Sequence, residues 1–230
     1  MDNNSQQPGG NCSILLGLTY LIGGLAYLKL PLSQKIQGSD FLLSYAKEPN
    51  PALIQTLALT VGALLALAVV PMISQKVRAQ PGGWIGWTNN LALLGFGVLI
   101  IDNLRLLALR PTQALVYAQG DAITRRALEL NGPFSLDPDG WLKFGAIGLW
   151  VLVVSTVSLR RKVFPEFLSY IGVFLGLTYW MMMMGIILKA PGVLNNAAIV
   201  GGIVLAPVWF IGIGYQTRKP PSSPPESGHL

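Results

Sequence analysis

The sequence predicts an all-α integral membrane bundle, and three observations carry that prediction. Six apolar stretches occupy most of the 230 residues; 52% of the chain is hydrophobic. Only 11% is charged, about half of what a soluble domain carries. The apolar runs are also continuous, without the two-residue alternation of barrel strands. Backbone amides find no water inside a bilayer, so runs of this kind must close their hydrogen bonds as helices.

The predicted spans cover residues 13–30, 52–73, 84–109, 141–159, 167–188 and 197–215. Each approaches or exceeds the length that crosses a hydrocarbon core, about 20 helical residues. Residues 1–12 read as a flexible N-terminal segment, 13–216 as one transmembrane domain, and 217–230 as a disordered tail rich in Pro and Ser. The first stretch has no Lys or Arg ahead of it and no small-residue cleavage pattern behind it, so it reads as a retained helix and not a signal peptide. Pro31, Pro111 and Pro191 follow spans one, three and five as stop signals, while Asn195 and Asn196 suit the cap of span six. Pro207 should bend span six and free a carbonyl near Ile203.

Charge sets the orientation. The raw Lys and Arg count slightly favours the side of the long loops, but the cluster Arg160, Arg161 and Lys162 and the pair Arg218 and Lys219 lie in short segments at helix ends. The positive-inside bias acts most strongly there, which places that side and both termini in the cytoplasm. The net charge of +6 punctuates span ends and forms no continuous face, so it suits lipid headgroups and not nucleic acid.

Two longer loops, 32–50 and 111–140, then face outward. In the second, Leu115, Val116, Ala122, Ile123, Ala127 and Leu130 can share one apolar helical side, with Asp121, Arg125, Arg126 and Glu129 supplying charge. That pattern predicts a helix at the membrane interface or over the mouth of the bundle.

The most suggestive polar position closes span three, where IIDNLRLLALR puts Asp102, Asn103 and Arg105 in an apolar helix. Ionisable groups are costly in a membrane and tend to mark function. Asp102 and Arg105 are three residues apart and can pair with each other; the alternative is a role toward a ligand, ion or proton. Asn90 falls within about 120 degrees of both on a regular helix, and with Asn89 could continue a polar seam.

Small residues supply packing sites: Gly172 and Gly176 form GxxxG, and Gly62 with Ala66 and Gly202 with Ala206 form similar pairs. The sequence LGLTY occurs at residues 16–20 and again at 175–179. A three-plus-three transporter repeat would relate spans one and four instead, so the repetition reads as a product of biased composition. Met181 to Met184 point all round their helix, as packing filler or as part of an adaptable apolar pocket for lipid, quinone or pigment.

Several chemistries lack their residues. The only histidine is His229 and the only cysteine is Cys12, so bis-histidine haem, a cysteine- or histidine-built metal site and a disulfide are unsupported. There is no GxSxG elbow, P-loop or close pair of intramembrane carboxylates. No metal or cofactor is expected.

The stretches RRKVFPEFLSYIGVFLGL at 160–177 and GGIVLAPVWFIGIGYQTRK at 201–219 resemble the bacterial membrane family catalogued as domain of unknown function 4386. The resemblance implies a six-helix bacterial inner-membrane protein in which a charged turn, a Pro and an aromatic open span five. It supplies no catalytic or ligand residues. From the residues, the expected function is a non-enzymatic accessory, assembly or interaction subunit that binds membrane lipid, a protein partner or a second copy of itself. The alternative is a small permease-like carrier using Asp102, Arg105 and Asn90.

Overall fold

A computed structural model describes residues 6–35, 41–78, 83–130 and 135–218. The described residues are helical, with six helices long and apolar enough to cross a membrane: Gln7–Lys29, Asn50–Val77, Trp84–Gln119, Trp141–Arg161, Glu166–Ile187 and Pro191–Arg218. All six predicted spans are present.

Helix α1 is Gln6–Lys29, and two short helices, α2 (Leu32–Lys35) and α3 (Phe41–Lys47), lead to α4 (Asn50–Val77). The long α5 (Trp84–Gln119) turns into α6 (Ala122–Leu130). Span four opens with a π-helical segment, Trp141–Ala146, and continues as α7 (Ile147–Arg161). Helix α8 is Glu166–Ile187; span six comprises α9 (Pro191–Ala197), a π-helical segment at Ala198–Leu205, and α10 (Ala206–Arg218).

Neighbouring spans pack in sequence order, α1 on α4, α4 on α5, α5 on span four, α7 on α8 and α8 on span six. Span six packs back on α1. An up-and-down chain thus closes into a ring, with both ends of the bundle sequence at one end and α2, α3 and α6 at the other, the loop end.

The terminus half of the ring is filled. Trp150, Trp209, Phe210, Ile73 and Ile213 are fully buried there. Trp209 stands edge-on to both Trp150 and Phe210, with ring centroids 5.9 and 4.9 Å apart. Lipid tails are as apolar as these rings, so contact and hydrogen bonding, not burial from water, hold helices together here. The indole of Trp150 donates to Ser74 Oγ at 2.9 Å, Ser13 Oγ donates to the Phe210 carbonyl at 2.7 Å, and Ser169 Oγ donates to Ser158 Oγ at 2.9 Å.

Three helix ends differ from expectation. Residues 6–12, expected to be flexible, already belong to α1, because Gly10 lets the helix lie close to the Gly214 carbonyl and Thr217 of α10. Pro111 does not stop span three: α5 runs through it for 36 residues, about 54 Å, well beyond a core of about 30 Å. Asn195 and Asn196 lie inside α9 and not at its cap, since Pro191 takes the first helical position, where a missing N–H costs nothing. Span six is π-helical over Ala198–Leu205, ending two residues before Pro207, a wider turn of the kind that interrupts the α-helical ladder. The predicted tail ends its described part as the last turn of α10, and residues 219–230 lie outside the described residues.

The projecting end of α5 gives the first outer loop something to pack on. Phe41, Tyr45, Leu30, Ala52 and Ala114 form a second core, and the Arg110 guanidinium lies over the Phe41 ring at 4.9 Å. Burial pushes the Tyr45 phenol above its ordinary pKa, with the Arg110 charge opposing. The Gln34 side-chain amide ties α2 to α3 by donating to Ser44 Oγ and to the Glu48 carbonyl.

Helix α6 folds back at Gly120 and contacts α5. Tyr117 donates to Glu129 at 2.8 Å, Glu129 pairs with Arg126, and the Arg125 guanidinium donates to the Tyr117 carbonyl. Its apolar residue Ile123 is 79% exposed, which suits an amphipathic helix lying in an interface. Asp121 caps α6 by accepting from the Thr124 backbone N–H at 2.8 Å, and that bond holds its carboxyl below the usual carboxylate range. A depressed folded pKa stabilises above the unfolded value, about 3.9, and the contribution disappears as pH falls through the folded value. The protection of α6 amides, measured against the intrinsic exchange rate at each pH, is therefore expected to fall below about pH 4 in wild type, while Asp121→Ala shows the lower protection at every pH.

Candidate functional site

The loop half of the ring is hollow. A cavity of about 250 Å³ lies on the bundle axis and is lined by residues of all six spans. Its walls are apolar, with Leu59, Leu99, Phe144, Ile147, Met182 and Ile203 around it. Gly202 leaves the wall open, since a Cβ added there would meet nothing within 4 Å, while Gly23 and Gly24 line the cavity where α1 lies against Leu59 and Ile203.

Two tyrosines form the floor. The hydroxyls of Tyr20 and Tyr179 are 2.5 Å apart, and either can donate. Tyr20 stacks on Phe210 below it, so the floor rests on the filled half. One hydroxyl proton serves this bond, and the other has no acceptor among the described residues.

These tyrosines are the last residues of the two LGLTY copies, and the copies have matching surroundings. In each, the Thr hydroxyl donates to the carbonyl three residues earlier at 2.7 Å. Each Thr also lies against a glycine of the next span round the ring, Thr19 on Gly62 and Thr178 on Gly201. Each motif glycine faces a carbonyl of the preceding span, Gly17 that of Pro207 and Gly176 that of Gly148. The repetition is therefore structural: it sets two spans at equal depth and brings their tyrosines together. Composition alone does not account for it.

Polar groups return at the mouth. Tyr27 donates to Asn195 Oδ1 at 2.7 Å, and Lys35 lies over the Tyr27 ring at 5.2 Å. Lys143 lines the same cavity. Lys35 has no carboxylate partner among the described residues.

Lys143 also supplies the counter-ion of Asp102. Its Nζ is 2.9 Å from Asp102 Oδ2 and donates to Ser135 Oγ at 2.7 Å. Asp102 further accepts from the Ser135 hydroxyl at 2.7 Å and the Leu136 backbone N–H at 3.0 Å. Its side chain is 7% exposed and that of Lys143 15%. The sequence Asp137-Pro138-Asp139-Gly140 makes this possible. Asp137 accepts from the backbone N–H groups of Leu142 and Lys143, both at 2.8 Å, and Gly140 turns the chain into span four at φ 78°, a conformation costly for other residues.

The predicted cluster on span three is thus rearranged. The cation bonded to Asp102 is Lys143 and not Arg105, because span four brings an ammonium to the buried face of α5, while Arg105 is only half-buried. Asn103 is buried beside Asp102. Asn90 is not brought to them; it is exposed twelve residues away, about 18 Å along the helix. There it lines a groove at the terminus end with Ser74, Gln75, Arg78 and Asn89.

Of the predicted packing glycines, Gly62, Gly172 and Gly176 each approach a neighbouring helix so closely that an added Cβ would stand within 3 Å of its atoms, and Gly202 faces the open cavity instead. Its neighbour Gly201, which the sequence pattern does not single out, is the one that packs closely, against Thr178. The methionines divide as their helix dictates: Met182 lines the cavity, Met183 packs on Gly145, and Met181 and Met184 are exposed.

Among the described residues no group of three His, Cys, Asp or Glu side chains could hold a metal ion. No family model matches this chain, and neither a curated protein nor a solved structure matches it.

Proposed function

We propose that this protein is a non-enzymatic, multi-pass protein of the bacterial inner membrane that holds a lipid-class molecule in its central cavity, as an accessory or assembly subunit. The single observation behind this reading is the hollow half-ring: apolar walls, a closed tyrosine floor and a cationic mouth at the loop end. A small number of placed polar groups in an apolar cleft is the ordinary form of a ligand site. At about 250 Å³ the cavity falls short of the roughly 300–1,000 Å³ that encloses a drug-sized molecule, so it suits one end of an amphiphile, the rest lying among lipids.

The test is solvent extraction of the protein purified from native membranes, followed by mass spectrometry of what it retained. Wild type is expected to carry one lipid-class species near equimolar amount. Gly202→Phe, which places a ring in the open space, is expected to carry less than a tenth of it while folding normally. Equal retention by both proteins contradicts the reading.

A carrier is the second reading, favoured by one observation: Lys143 belongs both to the cavity wall and to the Asp102 ion pair. A ligand at Lys143 would then compete with Asp102. That reading expects Asp102→Asn to abolish substrate flux in proteoliposomes at an undiminished amount of folded protein; persistent flux removes it.

A further inference from the structure

Resting on the lipid-binding reading, we propose that the cavity selects a single-chain amphiphile with an anionic head, bound at Lys35 with its chain directed to the Tyr20–Tyr179 floor. Among the described residues two ammonium groups, Lys35 and Lys143, line the cavity and no carboxylate does. Lys143 is neutralised by Asp102 at 2.9 Å, and Lys35 has only the Tyr27 ring and a 3.5 Å contact to the Leu28 carbonyl. Among the described residues the charge left at the mouth is therefore positive.

Lys35 is half-buried. A partly desolvated ammonium attracts an opposite charge more strongly than one in water, and its three donors suit a carboxylate or a phosphate oxygen equally. The Tyr27 ring beneath it holds the ammonium in place through its face. Below this level the lining turns to Leu59, Leu99, Met182 and Ile203, which offer an alkyl chain contact and no further charge. Met182 gives the wall room to adapt to chains of different shape. A cationic amphiphile would meet the same positive mouth and be repelled, and a neutral alcohol would gain the apolar wall alone.

The experiment places the full chain in lipid nanodiscs and counts bound probe by native mass spectrometry. The probes are decanoate, decyl phosphate, decan-1-ol and decylamine, which share one chain. Decanoate or decyl phosphate is expected to bind at least tenfold more tightly than decanol, with decylamine weakest; the tighter of the two anions identifies a carboxylate or a phosphate head. Lys35→Gln is expected to erase the preference for anions and leave decanol binding unchanged, and Lys35→Arg to restore it. If decanol binds as tightly as the anions, or Lys35→Gln keeps the preference, the anionic-head inference is overturned while the cavity reading stands. If no probe binds wild type better than Gly202→Phe, both fail together.

Discussion

Asp102→Ala is expected to cut the yield of folded protein severely, the largest loss of any single polar substitution in the molecule. The change removes the acceptor of three bonds at once, from Lys143 Nζ, the Ser135 hydroxyl and the Leu136 N–H. It leaves an ammonium 15% exposed without a counter-ion. Breaking one half of a buried pair typically costs about 3–5 kcal/mol, whereas replacing both halves by apolar groups of similar volume is often close to neutral. Asp102→Leu combined with Lys143→Met is therefore expected to recover most of the folded yield, read by size-exclusion chromatography in mild detergent. Recovery would be incomplete, since Ser135 and Leu136 still lack their acceptor, at about 1–3 kcal/mol for an unsatisfied buried donor. A single mutant as abundant as wild type would mean that the pair is not closed in the membrane.

Gly172→Leu is expected to be among the most damaging changes in the apolar core, and Gly202→Leu among the mildest. A Cβ at Gly172 would collide with Ser155 Oγ and stand 2.5 Å from Trp209 Nε1, inside the filled half where both neighbours are buried. Overpacking of this kind costs about 1–3 kcal/mol for a few added methylenes, sometimes more. At Gly202 the new side chain enters the open cavity, so its cost stays near the roughly 0.5 kcal/mol of an unconstrained site. Thermal unfolding followed by tryptophan fluorescence in detergent separates the two; similar melting temperatures would contradict the division of the ring into a filled and a hollow half.

The helical bundle was legible in the sequence because a membrane leaves a chain few options: long apolar runs must be helices, and their number sets the fold. Helix ends were less so. Pro111 reads as a stop, yet α5 continues and its projecting end packs on α3, with Arg110 over the Phe41 ring; no local signal encodes that partner. Asp102 was identified, but its cation was not. Lys143 lies near the start of an apolar run, 41 residues away, and looks like a snorkelling end residue until span four is set against α5. The only signal was the turn Asp137-Pro138-Asp139-Gly140, which fixes where span four begins.

The cavity itself was invisible from one chain position at a time. Gly202 of span six withholds a side chain from the open space, whereas glycines elsewhere in the bundle make tight contacts. Gly201 and Gly202 are neighbours in sequence with opposite roles, one under Thr178 and the other facing empty space. Both lie within the π-helical turn at Ala198–Leu205. The LGLTY copies carried the one long-range signal, since both end in the tyrosines that meet at the floor.

Photolabelling resolves most directly whether the cavity holds a lipid. A fatty acid carrying a diazirine at its chain end, added to native membranes and activated by light, can be mapped residue by residue with tandem mass spectrometry. Labelling is expected at Met182, Leu59 and Ile203, suppressed by excess decanoate and lost in Gly202→Phe. Labelling that falls instead on the outward faces, at Met181, Leu57 and Val204, and that decanoate leaves unchanged, would show only contact with surrounding lipid and contradict a site inside the ring.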